Sequence, residues 1–297
     1  MHRFDGRVAV VTGGGRGIGR AYARLLAERG ARVVVNDLGG AMDGTGADEG
    51  LAVEAATGIV AAGGEAVADT HDVASPAGAR ALVATALERF GRLDVLVANA
   101  GIMRWADFPD VPLEDLERHV AVHVHGSFLT AQAAWPHMVE RGYGRIVLTT
   151  STGLLGLPGN TAYAVAKGGV IGLARSLATA GAAHNIRVNL IAPAATTRMA
   201  GDGGRGPEMP PELVAPMVAF LAHEDCPVTG EIYTAGAGRF ARLFLASTPG
   251  YVHPGPDPTV EDVAEHWAAI NDESGYDVPA DLMAWSTRFL AHLAPAR

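Results

Sequence analysis

Apolar and polar positions along the chain alternate between two rhythms. Short apolar, β-favouring runs, four to seven residues long, are separated by stretches with apolar residues at helical spacing. Arg7–Thr12 (RVAVVT) reads as a buried strand. Gly17–Arg29 follows as a helix, with Ile18, Ala21, Tyr22, Leu25 and Leu26 on one face and Gly30 as its stop. Arg32–Asn36, Glu65–Thr70, Leu93–Ala98, Arg145–Thr150, Ile186–Ala192 and Glu231–Ala235 read as six further strands. Helices are expected near Leu51–Ala62, Ala77–Phe90, Leu113–Glu140 (with a break near Pro136), Thr161–Ala180 and Leu213–Ala222. Strands separated by helices pair in parallel through right-handed crossovers. The expected fold class is therefore α/β: a Rossmann-type, doubly wound parallel sheet of seven strands with helices on both faces.

The rhythm changes near Thr248. Pro249, Pro254, Pro256 and Pro258, with Gly250 and Gly255, make a linker-like stretch. Thr259–Ile270 and Ala280–Leu293 then pattern as amphipathic helices. The expected organisation is a nucleotide-binding domain over 1–248 and a helical extension over 249–297. The extension is too small to stand alone and is expected to pack on the main domain or on a neighbouring subunit.

Composition narrows the function classes. The 297 residues are 48% hydrophobic and 19% charged, enough to bury a sizeable core, and the net charge is −9. An acidic chain without a basic cluster is not expected to take nucleic acid or an anionic membrane as its main partner. One cysteine, Cys226, excludes an internal disulfide framework and a cysteine-based zinc site. No uninterrupted apolar run reaches membrane-spanning length, so the chain reads as soluble and cytoplasmic. Of the 23 basic residues, all but Lys167 are arginine.

The first strand–helix turn carries Thr12-Gly13-Gly14-Gly15-Arg16-Gly17-Ile18-Gly19. Glycines at this spacing allow a tight turn and let backbone N–H groups approach a pyrophosphate at a helix N-terminus. Asp37, 18 residues after Gly19, closes the second strand. A carboxylate there accepts the adenosine ribose hydroxyls and repels a 2′-phosphate, which favours NAD over NADP. Arg16 pulls the other way, because a cation in the glycine loop can pair with that phosphate. Asp72-Val73 and Asn99-Ala100-Gly101 end the third and fourth strands, at the edge where doubly wound sheets bind ligands.

Tyr163 and Lys167 stand four apart on one helix, hence on one face. An ammonium beside a phenol stabilises the phenolate and is expected to lower its pKa toward the working pH. The lone lysine of an arginine-rich chain falls where a compact, pKa-tunable ammonium is needed. The hydroxyl cluster Thr149-Thr150-Ser151-Thr152 ends the fifth strand, and a hydroxyl there can donate to a reacting oxygen. His119, His123 and His125 superficially resemble metal spacing. No cysteine or H-E-x-x-H pattern accompanies them, so they read as packed or solvated imidazoles, and no metal is expected.

Together these motifs resemble the short-chain dehydrogenase/reductase family over roughly Arg3–Arg242: T-G-x-x-x-G-x-G at Thr12–Gly19, Asp72, N-A-G at Asn99–Gly101, Tyr163/Lys167, and Asn189 with Pro193. Stretches such as RFDGRVAVVTG, VHVHGSF, AQAAWPHM and TGEIYTAGAGR are similar to the (3R)-hydroxyacyl-CoA dehydrogenase domains of peroxisomal multifunctional β-oxidation enzymes and their bacterial relatives. The resemblance implies NAD, a homodimer or homotetramer, and cofactor contacts from Gly13, Arg16, Gly17, Ile18, Gly19, Asp37, Asp72, Val73, Asn99, Ala100, Gly101, Tyr163, Lys167 and Pro193. It implies Tyr163 as general acid/base, and Lys167 tuning it and holding the nicotinamide ribose.

Three departures matter. The family's Asn in the central helix corresponds to His123, which can support a proton relay through water. The substrate-orienting Ser normally lies 13 residues before the Tyr; that position is Thr150, with Ser151 next to it, so either supplies the hydroxyl. Ala200–Pro211, where the family's substrate loop falls, is Gly-rich and unlike that of the acyl-CoA enzymes. The expected activity is interconversion of a secondary alcohol and a ketone by hydride transfer, with a 3-hydroxyacyl-CoA as one substrate. The alternatives are a hydroxysteroid- or terpenol-type dehydrogenase, or a catalytically silent nucleotide-binding scaffold.

Overall fold

A computed structural model of the chain describes residues 1–196 and 209–293. Two compact units are present, Met1–Arg242 and Leu243–Arg297. The first is built on strands β1 (Val8–Thr12), β2 (Arg32–Asn36), β3 (Glu65–Asp69), β4 (Val95–Ala98), β5 (Gly144–Thr149), β6 (Ile186–Pro193), β7 (Ile232–Gly236) and β8 (Arg239–Leu243). They form one sheet in the order β3-β2-β1-β4-β5-β6-β7-β8. The pairings from β3 to β7 are all parallel. Strands β1, β4 and β5 are buried along their whole length, which explains their continuous apolar runs.

The sheet thus has eight strands rather than the expected seven. Ala237 and Gly238, both at positive φ, make a two-residue turn that folds β8 back beside β7. A turn of that length joins only antiparallel neighbours. The signal was the A-G pair after β7. It was missed because RFARL is mostly exposed and reads as polar.

Helices α1 (Gly17–Glu28), α2 (Gly50–Ala61), α3 (Pro76–Phe90), α4 (Leu113–His119), α5 (Gly126–Arg141), α6 (Thr161–Gly181) and α7 (Ala215–Leu221) complete the unit. The long helix expected over Leu113–Glu140 does not break at Pro136, which lies inside α5. Its irregularity comes earlier, as a π-helical segment over Val120–His125 that joins α4 to α5. Such segments re-aim side chains and recur at functional sites.

In the second unit, α8 (Val260–Glu265), α9 (Trp267–Ile270) and α10 (Leu282–Phe289) are short. Thr259 and Asp262 cap α8 reciprocally, and Asp281 caps α10. His266 separates α8 from α9, so the expected helix Thr259–Ile270 is two pieces, and the His266 ring between them stacks on Tyr251 with centroids 3.7 Å apart. None of this unit's described residues is buried.

Candidate active site

At the C-terminal edge of β1, β2 and β4 the glycine loop bounds a cavity of about 320 Å³. Its walls include Gly13, Arg16, Gly17, Ile18, Gly19, Asp37, Asp72, Val73, Asn99, Ala100 and Gly101, so eleven of the expected cofactor residues come together. Sequence reasoning missed Leu38, Gly40, Ala41, Gly44, Ile102 and Arg118, which also line it. The loop Gly39–Gly50 carries only a composition signal. Its placement comes from tertiary bonds, from Arg118 to the Gly44 carbonyl (2.7 Å) and from the Met103 N–H to the Met42 carbonyl (2.8 Å).

The glycines are sterically required. A Cβ on Gly13 would meet Ala100 Cα at 2.9 Å, and one on Gly19 would meet the Gly13 carbonyl at 2.0 Å. Asn99 holds this approach from the other strand, donating to the carbonyls of Thr12 (3.1 Å) and Gly13 (3.2 Å), while Thr12 Oγ1 accepts from the N–H groups of Asn99 and Ala100. The Asp37 carboxylate, 8% exposed, accepts from the N–H groups of Gly15 (2.9 Å) and Gly39 (2.8 Å). Two backbone bonds leave lone pairs of each oxygen for further donors. Arg16 donates to the Gly40 carbonyl, so its guanidinium is tied to the loop beyond Asp37. A glycine cradle at a helix N-terminus fits the pyrophosphate of a dinucleotide. Asp72 accepts from the Ala74 N–H (2.9 Å) and so shapes the turn into α3.

The second group of residues lies where β5 runs into α6. Lys167 is buried and donates to the Thr149 carbonyl at 2.7 Å. With no carboxylate beside it, desolvation pulls its pKa down to about 7. Its ammonium nitrogen is 5.5 Å from the centre of the Tyr163 ring. The expectation that the ammonium lowers the phenol is not what this structure shows. Burial raises the Tyr163 pKa, and only a hydrogen bond with Ser151 opposes that shift.

The two candidate hydroxyls separate cleanly. Thr150 is fully buried and its Oγ1 donates to the Lys167 carbonyl at 2.8 Å. Ser151 has its Oγ against the Tyr163 hydroxyl and accepts from the Gly153 N–H at 3.0 Å, which caps the short 3-10 turn Thr152–Leu155. Gly153 lets that loop lie close to Asn160, since a Cβ there would stand 3.0 Å from Asn160 Nδ2 and within contact of the Tyr163 ring.

The π segment brings His119 and His123 into one stack, 5.8 Å apart, both edge-on to Tyr163 at 6.1 and 5.3 Å. His125 points elsewhere and is exposed. His119 is satisfied, with Nδ1 2.6 Å from the Asp115 carbonyl and Nε2 accepting from the Arg104 N–H at 3.3 Å. His123 Nε2 faces the Ile102 carbonyl (3.0 Å) and N–H (3.3 Å), whereas its Nδ1 is buried without a partner among the described residues. Burial, then the nearby Lys167 charge, hold His123 well below the usual histidine range; desolvation lowers His119 as well. Both are therefore neutral imidazoles. Gly101 is explained by the same packing: a Cβ there would stand 2.6 Å from His123 Cε1.

Three expected residues lie off the nucleotide cavity. Tyr163 and Lys167 sit on α6, and Pro193 ends β6, paired with Ala235. Asn189 is structural, donating to the Val228 carbonyl and accepting from the Glu231 N–H. Of the expected substrate loop Ala200–Pro211, residues 200–208 lie outside the described residues.

The sequence pattern of short chain dehydrogenases matches residues 7–203, two thirds of the chain. The chain belongs to the short-chain dehydrogenase family. It is 46% identical over 280 residues to a short-chain type dehydrogenase/reductase of Mycobacterium tuberculosis, covering 93% of this chain and 97% of that protein. It is 44% identical over 281 residues to peroxisomal multifunctional enzyme type 2 of Drosophila melanogaster, covering 92% of this chain but only 46% of that enzyme. The solved structure of the full-length fly enzyme superposes with a TM-score of 0.81 at 36% identity, over 98% of this chain and 50% of that one. A short chain dehydrogenase from Mycobacterium avium does so at 0.79 and 36%, over 91% of this chain and 97% of that one. Short-chain dehydrogenases are oxidoreductases that bind NAD or NADP, and the fold and glycine cradle described above are theirs. No helix among the described residues is long and apolar enough to cross a membrane.

Proposed function

We propose that this dehydrogenase uses NAD to interconvert a secondary alcohol and its ketone, and that its substrates are 3-hydroxyacyl-CoA thioesters. The observation that carries the reading is the Ser151 hydroxyl set against the Tyr163 hydroxyl, beside Lys167, on the sheet edge that also holds the glycine cradle. Ser151 donates to the substrate oxygen. Tyr163, held as phenolate where the positive charge of a bound oxidised dinucleotide offsets the upward pull of burial, would take the alcohol proton while the carbon gives up its hydrogen with both electrons. Lys167 holds an exchangeable proton near neutral pH and positions the ribose. The bound dinucleotide supplies the hydride acceptor and, in its oxidised form, a positive charge. His123 Nδ1, buried and unpartnered beside Tyr163, is placed to hold a water in a proton relay.

Asp37 supports NAD over NADP: a 2′-phosphate would face its carboxylate, and the cation of the glycine loop, Arg16, is engaged with Gly40. The thioester class is supported by the multifunctional enzymes among the relatives and by exposed apolar side chains on two linked loops, one of which leads into α6. Trp105 and Phe108 stand exposed on a loop bonded to Gly159 and Asn160, and Leu155 and Leu157 stand exposed on the facing loop. These side chains equally suit a hydroxysteroid or terpenol, the second reading. We further propose a cytoplasmic homodimer or homotetramer, which would cover exposed apolar side chains such as Trp267 and Phe289.

The test is NADH formation with (3R)- and (3S)-3-hydroxyacyl-CoAs, hydroxysteroids and terpenols, each with NAD and NADP. Turnover of a 3-hydroxyacyl-CoA with NAD is expected. Faster turnover of steroids or terpenols selects the second reading. Preference for NADP assigns the choice to Arg16, and NAD binding without turnover of any alcohol makes the chain a scaffold.

A further inference from the structure

Far from Tyr163, the segment Met1–Gly6 lies against the loop that follows α7. Among the described residues, one group of three side chains with metal-ligating atoms is found here: His2, His223 and Asp225, with those atoms all within 4.8 Å of one another. We propose that these three residues form a divalent transition-metal site, zinc being the fitting ion, that staples the segment Met1–Gly6 to the loop after α7.

Four observations carry this. The first is spacing. Around a tetrahedral zinc with bonds of about 2.0–2.1 Å, neighbouring ligand atoms stand about 3.4 Å apart. His223 Nδ1 and Asp225 Oδ2 are 3.4 Å apart, and His2 Nε2 and Asp225 Oδ2 are 3.6 Å apart. Two of the three edges are therefore already near the required length, and a rotation of the half-exposed His2 side chain closes the third.

The second is the tautomer. His223 Nε2 is 3.0 Å from the Arg3 carbonyl, an acceptor only, so the ring proton belongs on Nε2. That leaves the Nδ1 lone pair facing His2 and Asp225. A backbone carbonyl holding the far ring nitrogen is the outer-shell contact that fixes a ligating imidazole and raises its basicity. The Asp225 N–H now donates to Nδ1 at 3.1 Å and would be released to water when a metal takes the lone pair. Asp225 is exposed, so that exchange costs little.

The third is packing. His223 is buried, with Phe4 edge-on at 5.2 Å. His2 is set edge-on to both His223 (4.8 Å) and Phe220 (5.6 Å). The exposed His2 is thus seated over the site before any ion arrives. The fourth is donor chemistry. Two imidazoles and one carboxylate suit zinc, and no acid-only cage for magnesium or calcium is present in this group. The protein ligands number three, which leaves a fourth position for water.

A metal here links His2 to His223 across the junction where the Arg3 carbonyl already meets the His223 ring, positions 220 apart. It binds the folded chain and not the unfolded one, so it raises the unfolding temperature as the free metal concentration rises.

The test uses the whole chain with no added histidine tag, stripped with a chelator. Cobalt(II) titration is expected to give an absorption band of four- or five-coordinate cobalt that saturates at one equivalent and is displaced by zinc. Zinc is expected to raise the unfolding temperature by several degrees. His2→Ala and Asp225→Asn, both at exposed positions, are expected to lose the band and the shift while keeping the metal-free unfolding temperature, and His2→Cys is expected to retain both. No saturable cobalt band, or a zinc shift that His2→Ala leaves intact, overturns the proposal.

Discussion

The two ends of β5 each bury a cation with no carboxylate beside it among the described residues, and the outcomes differ. At the start, Arg145 is 2% exposed; it donates to the carbonyls of Gly144 (2.8 Å) and Asn185 (2.9 Å) and reaches that of His223 (3.4 Å). Its guanidinium lies 4.4 Å from the centre of the Tyr143 ring, which also takes Arg7 at 3.7 Å. At the far end, Lys167 is 3% exposed and makes one such bond, to Thr149. Desolvation lowers the pKa of both groups. A guanidinium starts so high that it stays charged, and its planar fork shares the charge among several carbonyls and a ring face. An ammonium starts lower, and one carbonyl does not hold it, so it arrives at about 7. The same burial makes a fixed structural charge at one end of the strand and an exchangeable proton at the other.

Exchanging the cations attacks this contrast most directly. Lys167→Arg keeps a positive charge but replaces the compact, titratable one. Turnover is expected to fall by about 10³–10⁴, with the pH–rate profile displaced rather than merely lowered; near-normal turnover with an unshifted profile would remove Lys167 from the chemistry. The second measurement is stability against pH. Lys167 loses its proton near pH 7 in the fold and near 10.5 in the unfolded chain, so between those values the unfolded chain binds more protons. Stability of the nucleotide-free protein should then rise with pH across that window, by up to about 4 kcal/mol from this group. Denaturant titrations at pH 7, 8.5 and 10 should show that rise in the wild type and lose it in Lys167→Met.

At the other end, Arg145→Ala removes hydrogen bonds to three carbonyls, of which those of Asn185 and His223 keep backbone partners, and leaves the Tyr143 ring to Arg7 alone. It should cost about 3 kcal/mol of stability while turnover per folded molecule is unchanged; lost turnover with unchanged stability would break the division of labour. The smallest expected effect sharpens the active end only. Ser151→Ala should lower turnover by about 10² with nucleotide affinity unchanged. Thr150→Val should leave turnover within a few fold and cost about 1 kcal/mol, because it removes the buried side-chain bond to the Lys167 carbonyl. Equal small losses in both would remove Ser151 from substrate orientation.

Which parts of this were legible in the sequence follows from the range of the interactions. The glycine cradle, Asp37, N-A-G and the Tyr163/Lys167 pair were readable because each is a local arrangement: a strand–turn–helix junction, a strand end, two residues on one helix face. The eighth strand was not, because an exposed edge strand has no apolar alternation to announce it. Nor was the direction of the Tyr163 shift. Spacing reports that Lys167 is near, but only packing reports that burial outweighs it.

The sequence by itself determined the parallel sheet, its nucleotide edge and the residue types available for proton exchange, because periodicity and short motifs are written in neighbouring positions. Tertiary structure alone decided which hydroxyl faces Tyr163, since Thr150 is committed to the Lys167 carbonyl one helix away. It decided that His119 and His123 stack on Tyr163, through a π segment that no residue pattern marks. It also set Lys167 near neutrality, and it brought His2 beside His223 and Asp225. Each of these depends on how much water and which dipoles surround a group, and that is a property of chain segments distant in sequence meeting in space.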